Sequence, residues 1–122
     1  MKNNWVLTGG MFAFLGVALG AFGAHGLKDS LTPQMLEIYK TGVFYHLIHA
    51  VAIVAIGLYN NPKLFRSALF LSLGIVLFSF SLYLYSITSI TALAIITPFG
   101  GVCFLLGWLL LIIVSVKLNK KD

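Results

Sequence analysis

Four apolar stretches, each long enough to cross a bilayer, alternate with short polar breaks along the chain. About twenty apolar residues in a helix cover a hydrocarbon core ~30 Å thick. The pattern predicts spans over residues 5–23, 40–59, 64–86 and 92–116, with 24–39 as a polar loop that ends in a helix start. Span one, Trp5 to Gly23, carries small residues at Gly9, Ala13, Gly16, Gly20 and Gly23. Steps of three and four put them on one helical stripe. Gly16 and Gly20 form a G-x-x-x-G pair, which lets another helix approach closely in lipid. Tight packing within the chain is the expectation, and homodimerisation through the same face is the alternative. In the loop, Thr32 suits a helix cap and Pro33 the first helical position. Glu37 and Lys40 then lie one turn apart at the interface.

Span two reads KTGVFYHLIHAVAIVAIGLY from Lys40 to Tyr59. At about 100° per residue, Gly42, Tyr45, His46, His49, Ala52, Ile53 and Ile56 share one face. That face is assigned to the bundle interior, because imidazoles at membrane depth must face protein or water. Val43, Phe44, Leu47, Val51, Val54 and Leu58 lie opposite and are assigned to lipid. Asn60-Asn61-Pro62 ends the helix. In span three, Ser72, Ser79, Tyr83 and Ser86 form one polar stripe, and Ser81 and Tyr85 a second. Phe78 to Tyr85 alternates like a strand, but a lone strand cannot satisfy its backbone in lipid, so helix is predicted. In span four, Pro98 either kinks a continuous helix or begins one capped by Thr97. Gly100, Cys103 and Gly107 supply a small packing face there, with Gly101 beside it.

Composition agrees with the pattern. Of 122 residues, 60% are hydrophobic and 9% charged, against about 25% charged in a soluble domain. The predicted class is all-α: one membrane domain, a four-helix bundle in the plasma membrane. Lys2 followed by an apolar run resembles a signal peptide. The stretch around Ala21 to Ala24 lacks a convincing polar cleavage region, so it is read as the first span. Cys103 is the single cysteine, so no intrachain disulfide is available.

The net charge is +5. Four spans put both termini on one side, with Lys2, Lys63, Arg66, Lys117, Lys120 and Lys121, against Lys28 and Lys40 on the other. The positive-inside rule places the termini in the cytoplasm and 24–39 outside. No run joins basic and aromatic residues into a nucleic-acid groove.

On that orientation the polar side chains gather in the outer leaflet. His25 ends span one, and His46 and His49 lie roughly 8 to 14 Å down span two. Tyr45, Ser79, Tyr83, Tyr85 and Thr97 fall in the same half. A polar pocket near the outer surface is expected, closed beneath by an apolar plug. A channel would need polar lining through both halves. The imidazoles have several possible uses. They can bond a hydroxyl or a carbonyl freed by Pro98, such as that of Ala94, and so fix helix register. They can contact a small molecule or lipid headgroup through His25, His46 and Tyr45. They can ligate metal or haem through His25, His46 and His49, although no further Cys or carboxylate lies at that depth. Proton transfer is a further use. No metal is assigned, and the cofactor is left open. Asp29, Glu37 and Asp122 form no acid/base pair, and no nucleophile elbow or phosphate-cradling loop exists. A non-enzymatic protein is therefore expected, packing against lipid, a protein partner or a second copy through its glycine faces. The alternative is a small-molecule, headgroup, haem or metal binder.

Four stretches together carry a resemblance: GAFGAHGLK at Gly20 to Lys28, YKTGVFYHLIHA at Tyr39 to Ala50, LFSFSLYLY at Leu77 to Tyr85, and ITPFGGVCFLLGW at Ile96 to Trp108. The chain resembles a small bacterial membrane family labelled domain of unknown function 423, which has a mitochondrial relative among animal transmembrane proteins. The resemblance spans nearly the whole chain and implies four membrane helices. It supplies no catalytic residues, because the family's biochemical function is not established. Two positions depart from its pattern. The family commonly has Gln where His46 stands and Gly where Phe80 stands. The resemblance therefore implies that imidazole chemistry at His46 is not a shared activity, whereas His25 and His49 fit the pattern.

Overall fold

The computed structural model describes residues 3–120. The charges assigned to Lys2, Lys121 and Asp122 lie outside the described residues. Helix α1 runs Trp5–His25 and α2 Pro33–Tyr59. The third span is composite: α3 (Phe65–Gly74), a π-helical turn (Ile75–Ser79) and α4 (Phe80–Thr88). Helix α5 runs Thr91–Lys120. All four spans are long and apolar enough to cross a membrane. No strand occurs among the described residues, so Phe78 to Tyr85 is helical despite its alternation.

Local chemistry explains the boundaries. Thr32 Oγ1 accepts from Met35 N at 3.1 Å, and Pro33 follows at the first helical position. Asn60 ends α2 in the left-handed region at φ 59°, a conformation Asn tolerates. Asn61 Oδ1 then accepts from Lys63 N at 3.0 Å and starts the short 3₁₀ turn Pro62–Leu64. Helix α5 passes unbroken through Pro98. Thr97 does not cap a helix there: its hydroxyl pairs with that of Ser81 at 2.6 Å.

In lipid, apolar burial alone does not favour one helix contact over another, so close van der Waals fit decides. Two glycine seams supply it. Along α1, Gly9, Gly16 and Gly23 are buried. A Cβ on Gly9 would meet Val54 N at 2.7 Å and Ala50 O at 2.9 Å, so α1 and α2 touch backbone to backbone. Gly57 answers from α2, where a Cβ would meet Val6 N at 2.5 Å. In the second seam Gly74 receives the ring of Phe104, Gly107 receives Leu71, and Gly100 lies against the Phe78 backbone. The apolar core lies between the seams: Ala50, Ile53 and Ile56 meet Ala68, Leu71, Ile75 and Phe104.

The seams correct the facing of span two. Val43, Leu47 and Val54 do not all face lipid. They pack over Gly20, Gly16 and Gly9, because a glycine stripe accepts aliphatic side chains. Tyr45, assigned to the interior, is 39% exposed. Helices α2 and α5 do not pack closely along their backbones. They meet through the rings of Tyr45, His49, Phe104 and Trp108.

Candidate functional site

Helix α2 presents His46 and His49 one turn apart, to different neighbours. His46 is fully buried between α1 and α4. Its Nε2 lies 2.8 Å from Phe12 O, and its Nδ1 lies 2.7 Å from the Tyr83 hydroxyl. A carbonyl only accepts, so Nε2 carries the proton and donates to Phe12 O. In the neutral ring Nδ1 then accepts from Tyr83. Phe12 and Phe80 meet the ring edge-on, with centroids 6.0 and 5.6 Å away.

His49 has the opposite tautomer. Its Nδ1 lies 2.6 Å from Tyr45 O, one turn back on its own helix. Its Nε2 faces Trp108 Nε1 on α5 at 3.0 Å. Indole N–H only donates, so Nδ1 holds the ring proton and Nε2 accepts. Phe104 stacks on the ring with centroids 3.7 Å apart and planes 11° from parallel. All four imidazole nitrogens therefore have partners of matching polarity within the chain. The hydroxyl and the carbonyls expected as partners are present, but the carbonyls belong to Phe12 and Tyr45 rather than to Ala94.

The remaining predicted site residues are dispersed around these two rings. Tyr83 joins the His46 network, and the Tyr39 ring packs against it with centroids 5.1 Å apart. Thr97 pairs with Ser81 on the α4–α5 side. Ser79, in the π-helical turn, is buried, and its Oγ has no hydrogen-bond partner among the described residues. Tyr45 borders the rings around His49. His25 is exposed at the end of α1. The structure thus brings His46 and Tyr83 together, and Tyr45 and His49 together, on different sides of α2. It does not gather all seven residues into one pocket. Among the described residues no three of His, Cys, Asp and Glu are grouped to hold a metal ion.

Several contributors were not singled out from the sequence. Tyr39 is buried and donates to Leu19 O at 2.5 Å. Ser67 donates to Gly107 O at 2.5 Å and ties α3 to α5. Trp108 fixes the His49 tautomer. Its position one turn after Phe104 and beside Gly107 marked the inner face of α5, but nothing in the sequence named its partner.

The family profile described as "Protein of unknown function (DUF423)" matches residues 19–101. The chain belongs to this family. Among DUF423-like proteins it is 41% identical to the UPF0382 membrane protein YwdK of Bacillus subtilis, over 93% of this chain and 96% of that one. It is 37% identical to a UPF0382 membrane protein of Staphylococcus epidermidis, over 93% and 95%. It is 38% identical to the UPF0382 inner membrane protein YgdD of Escherichia coli, over 88% and 86%. No solved structure matches the chain. Relatives and apolar helices together make this a multi-pass membrane protein of the DUF423 family, whose function is not established.

Proposed function

We propose that the protein is a non-enzymatic membrane scaffold whose buried imidazoles fix helix register. One observation carries this reading: both rings have each nitrogen paired, His46 with Phe12 O and Tyr83, His49 with Tyr45 O and Trp108. A ring so engaged must break an internal hydrogen bond before it can bind metal or haem or relay a proton, and a buried polar atom left unpaired costs roughly 1–3 kcal/mol. With the glycine seams occupied inside the chain, the outer side of α1 is left as a contact surface for a partner helix. There Gly10 has open space before it.

The test is the double change His25→Ala with His46→Ala in purified protein, read by thermal unfolding and native mass spectrometry. The scaffold reading expects a lower unfolding midpoint and the same bound species as the parent. Loss of a bound species at an unchanged midpoint would overturn it.

The same proposal places both termini in the cytoplasm. The described cations at the terminal end are Lys63, Arg66, Lys117 and Lys120, whereas Lys28 and Lys40 share the other end with Asp29 and Glu37. A cysteine introduced at Ser30, with Cys103 changed to Ser, should label from outside intact cells. Labelling only after lysis would reverse the orientation.

A further inference from the structure

Between α2 and α5 lies a groove of about 410 Å³, within the ~300–1,000 Å³ range of small-molecule sites. It opens sideways between Phe44, Ile48 and Leu105, which are 60%, 44% and 71% exposed. In a membrane that side faces hydrocarbon. Three features separate it from an ordinary gap between helices. First, its walls are aromatic. Tyr45 and Phe78 have ring centroids 4.8 Å apart, Phe104 lies nearly parallel to Tyr45 at 6.2 Å, and Trp108 also lines the wall. Second, Gly101 keeps it open: a Cβ there would have only Phe78 Cδ2 nearby, at 3.9 Å. Third, the hydroxyl of the exposed Tyr45 has no hydrogen-bond partner among the described residues. It sits five residues below Lys40, about 7 Å along the helix. A phenolic O–H left without an acceptor at that depth costs free energy.

We propose that this groove binds a neutral, ring-bearing membrane lipid of the quinone class. The aromatic walls take the flat ring, and the Tyr45 hydroxyl donates to a ring carbonyl. No lining residue is an acid, Lys or Arg, which favours an uncharged ring over a charged headgroup. The sideways opening leaves the isoprenoid tail in the bilayer. His49 is a positioning residue here: its Nε2 holds the Trp108 indole and its ring holds Phe104. The larger groove beside α1, about 850 Å³, mixes aliphatic side chains with three phenylalanines and offers no phenol, indole or imidazole, so it suits acyl chains of any kind. The proposal shares the His49–Trp108 bond with the scaffold reading but uses none of the His46 contacts, so the His46→Ala test and the quinone test fail separately.

The experiment follows Trp108 emission in a Trp5→Phe background, so that Trp108 is the single indole. The protein is held in nanodiscs, and the probe is 2-methyl-1,4-naphthoquinone bearing a short isoprenoid tail. Saturable quenching is expected. Gly101→Leu fills the groove and should weaken binding at least tenfold. Tyr45→Phe keeps the ring and loses only the donor, which should weaken binding about threefold. Far-UV circular dichroism and thermal midpoints verify that both variants fold. Quenching that rises without saturation, or that is equal in all three proteins, would overturn the proposal, because the probe would then only be partitioning into lipid. Equally strong saturable quenching by a bromine-labelled acyl lipid would also overturn it, in favour of an unselective acyl groove.

Discussion

His46 joins three helices, whereas His49 joins two. His46 donates to α1 and accepts from α4, so both of its bonds leave its own helix. His49 spends one bond on the α2 backbone and reaches only α5 with the other. The surroundings differ in the same way. On the His46 side, α1 and α2 approach until backbone meets backbone. On the His49 side, α2 and α5 stand apart and rings line the groove between them. The lesson concerns adaptability. A backbone-to-backbone seam tolerates no added volume, while a ring-lined space can repack.

The largest expected effect comes from adding volume to the tight side. Gly9→Val would drive a side chain into the Val54 amide and the Ala50 carbonyl. About 3 kcal/mol or more of stability should be lost, seen as aggregation or a collapsed unfolding midpoint in mixed micelles. Gly101→Val on the ring-lined side should cost less than about 0.5 kcal/mol, because its Cβ meets nothing closer than 3.9 Å. Equal costs would erase the distinction between the sides.

Next in size is the pair of imidazole deletions. His46→Ala leaves a cavity and strands the Tyr83 hydroxyl, for about 3 kcal/mol. His49→Ala strands only the Trp108 N–H beside a stack that can close, for about 2 kcal/mol. Reversal of that order in unfolding measurements would contradict the three-helix role of His46. Smaller again is Trp108→Phe, which leaves His49 Nε2 without a donor and should cost about 1–2 kcal/mol. Gly10→Ala, on the open side of α1, should stay within about 0.5 kcal/mol of the parent. A larger loss would show that the outer face of α1 is occupied in the purified protein.

Much of this architecture was legible in the residues. Apolar run lengths gave four spans, and Thr32-Pro33 gave the start of α2. The 100° periodicity placed His46, His49, Ile53 and Ile56 inward, where they are buried. It failed for Val43, Leu47 and Val54, because polarity marks an interior only against an apolar exterior. When both lipid and the neighbouring helix are apolar, only the glycines of the neighbour betray the contact. The π-helical turn Ile75–Ser79 was not legible either. Its extra residue turns the two ends of the third span out of phase. Ser79 at its end and Tyr83 and Ser86 after it are buried, while Ser72, before it, is half-buried and bonds back to Ala68 O. The site was half legible. Side-chain identity showed that the imidazoles would need partners, but Trp108 is 59 residues from His49 and no local signal spans that distance. His46 and Phe80, the two positions where the resemblance implied other residues, are neighbours in space, with ring centroids 5.6 Å apart.

The composite third span has a consequence for biogenesis. Chains are synthesised N-terminus first, so α1 and α2 emerge before α4 and their glycine seam can close without it. During that interval His46 can reach Phe12 O but has no Tyr83 to supply a proton to Nδ1. The hairpin therefore enters the bilayer with one unmet polar demand in its wall, and only the arrival of the fourth helical segment can meet it. Chain order thus favours one order of assembly, hairpin first.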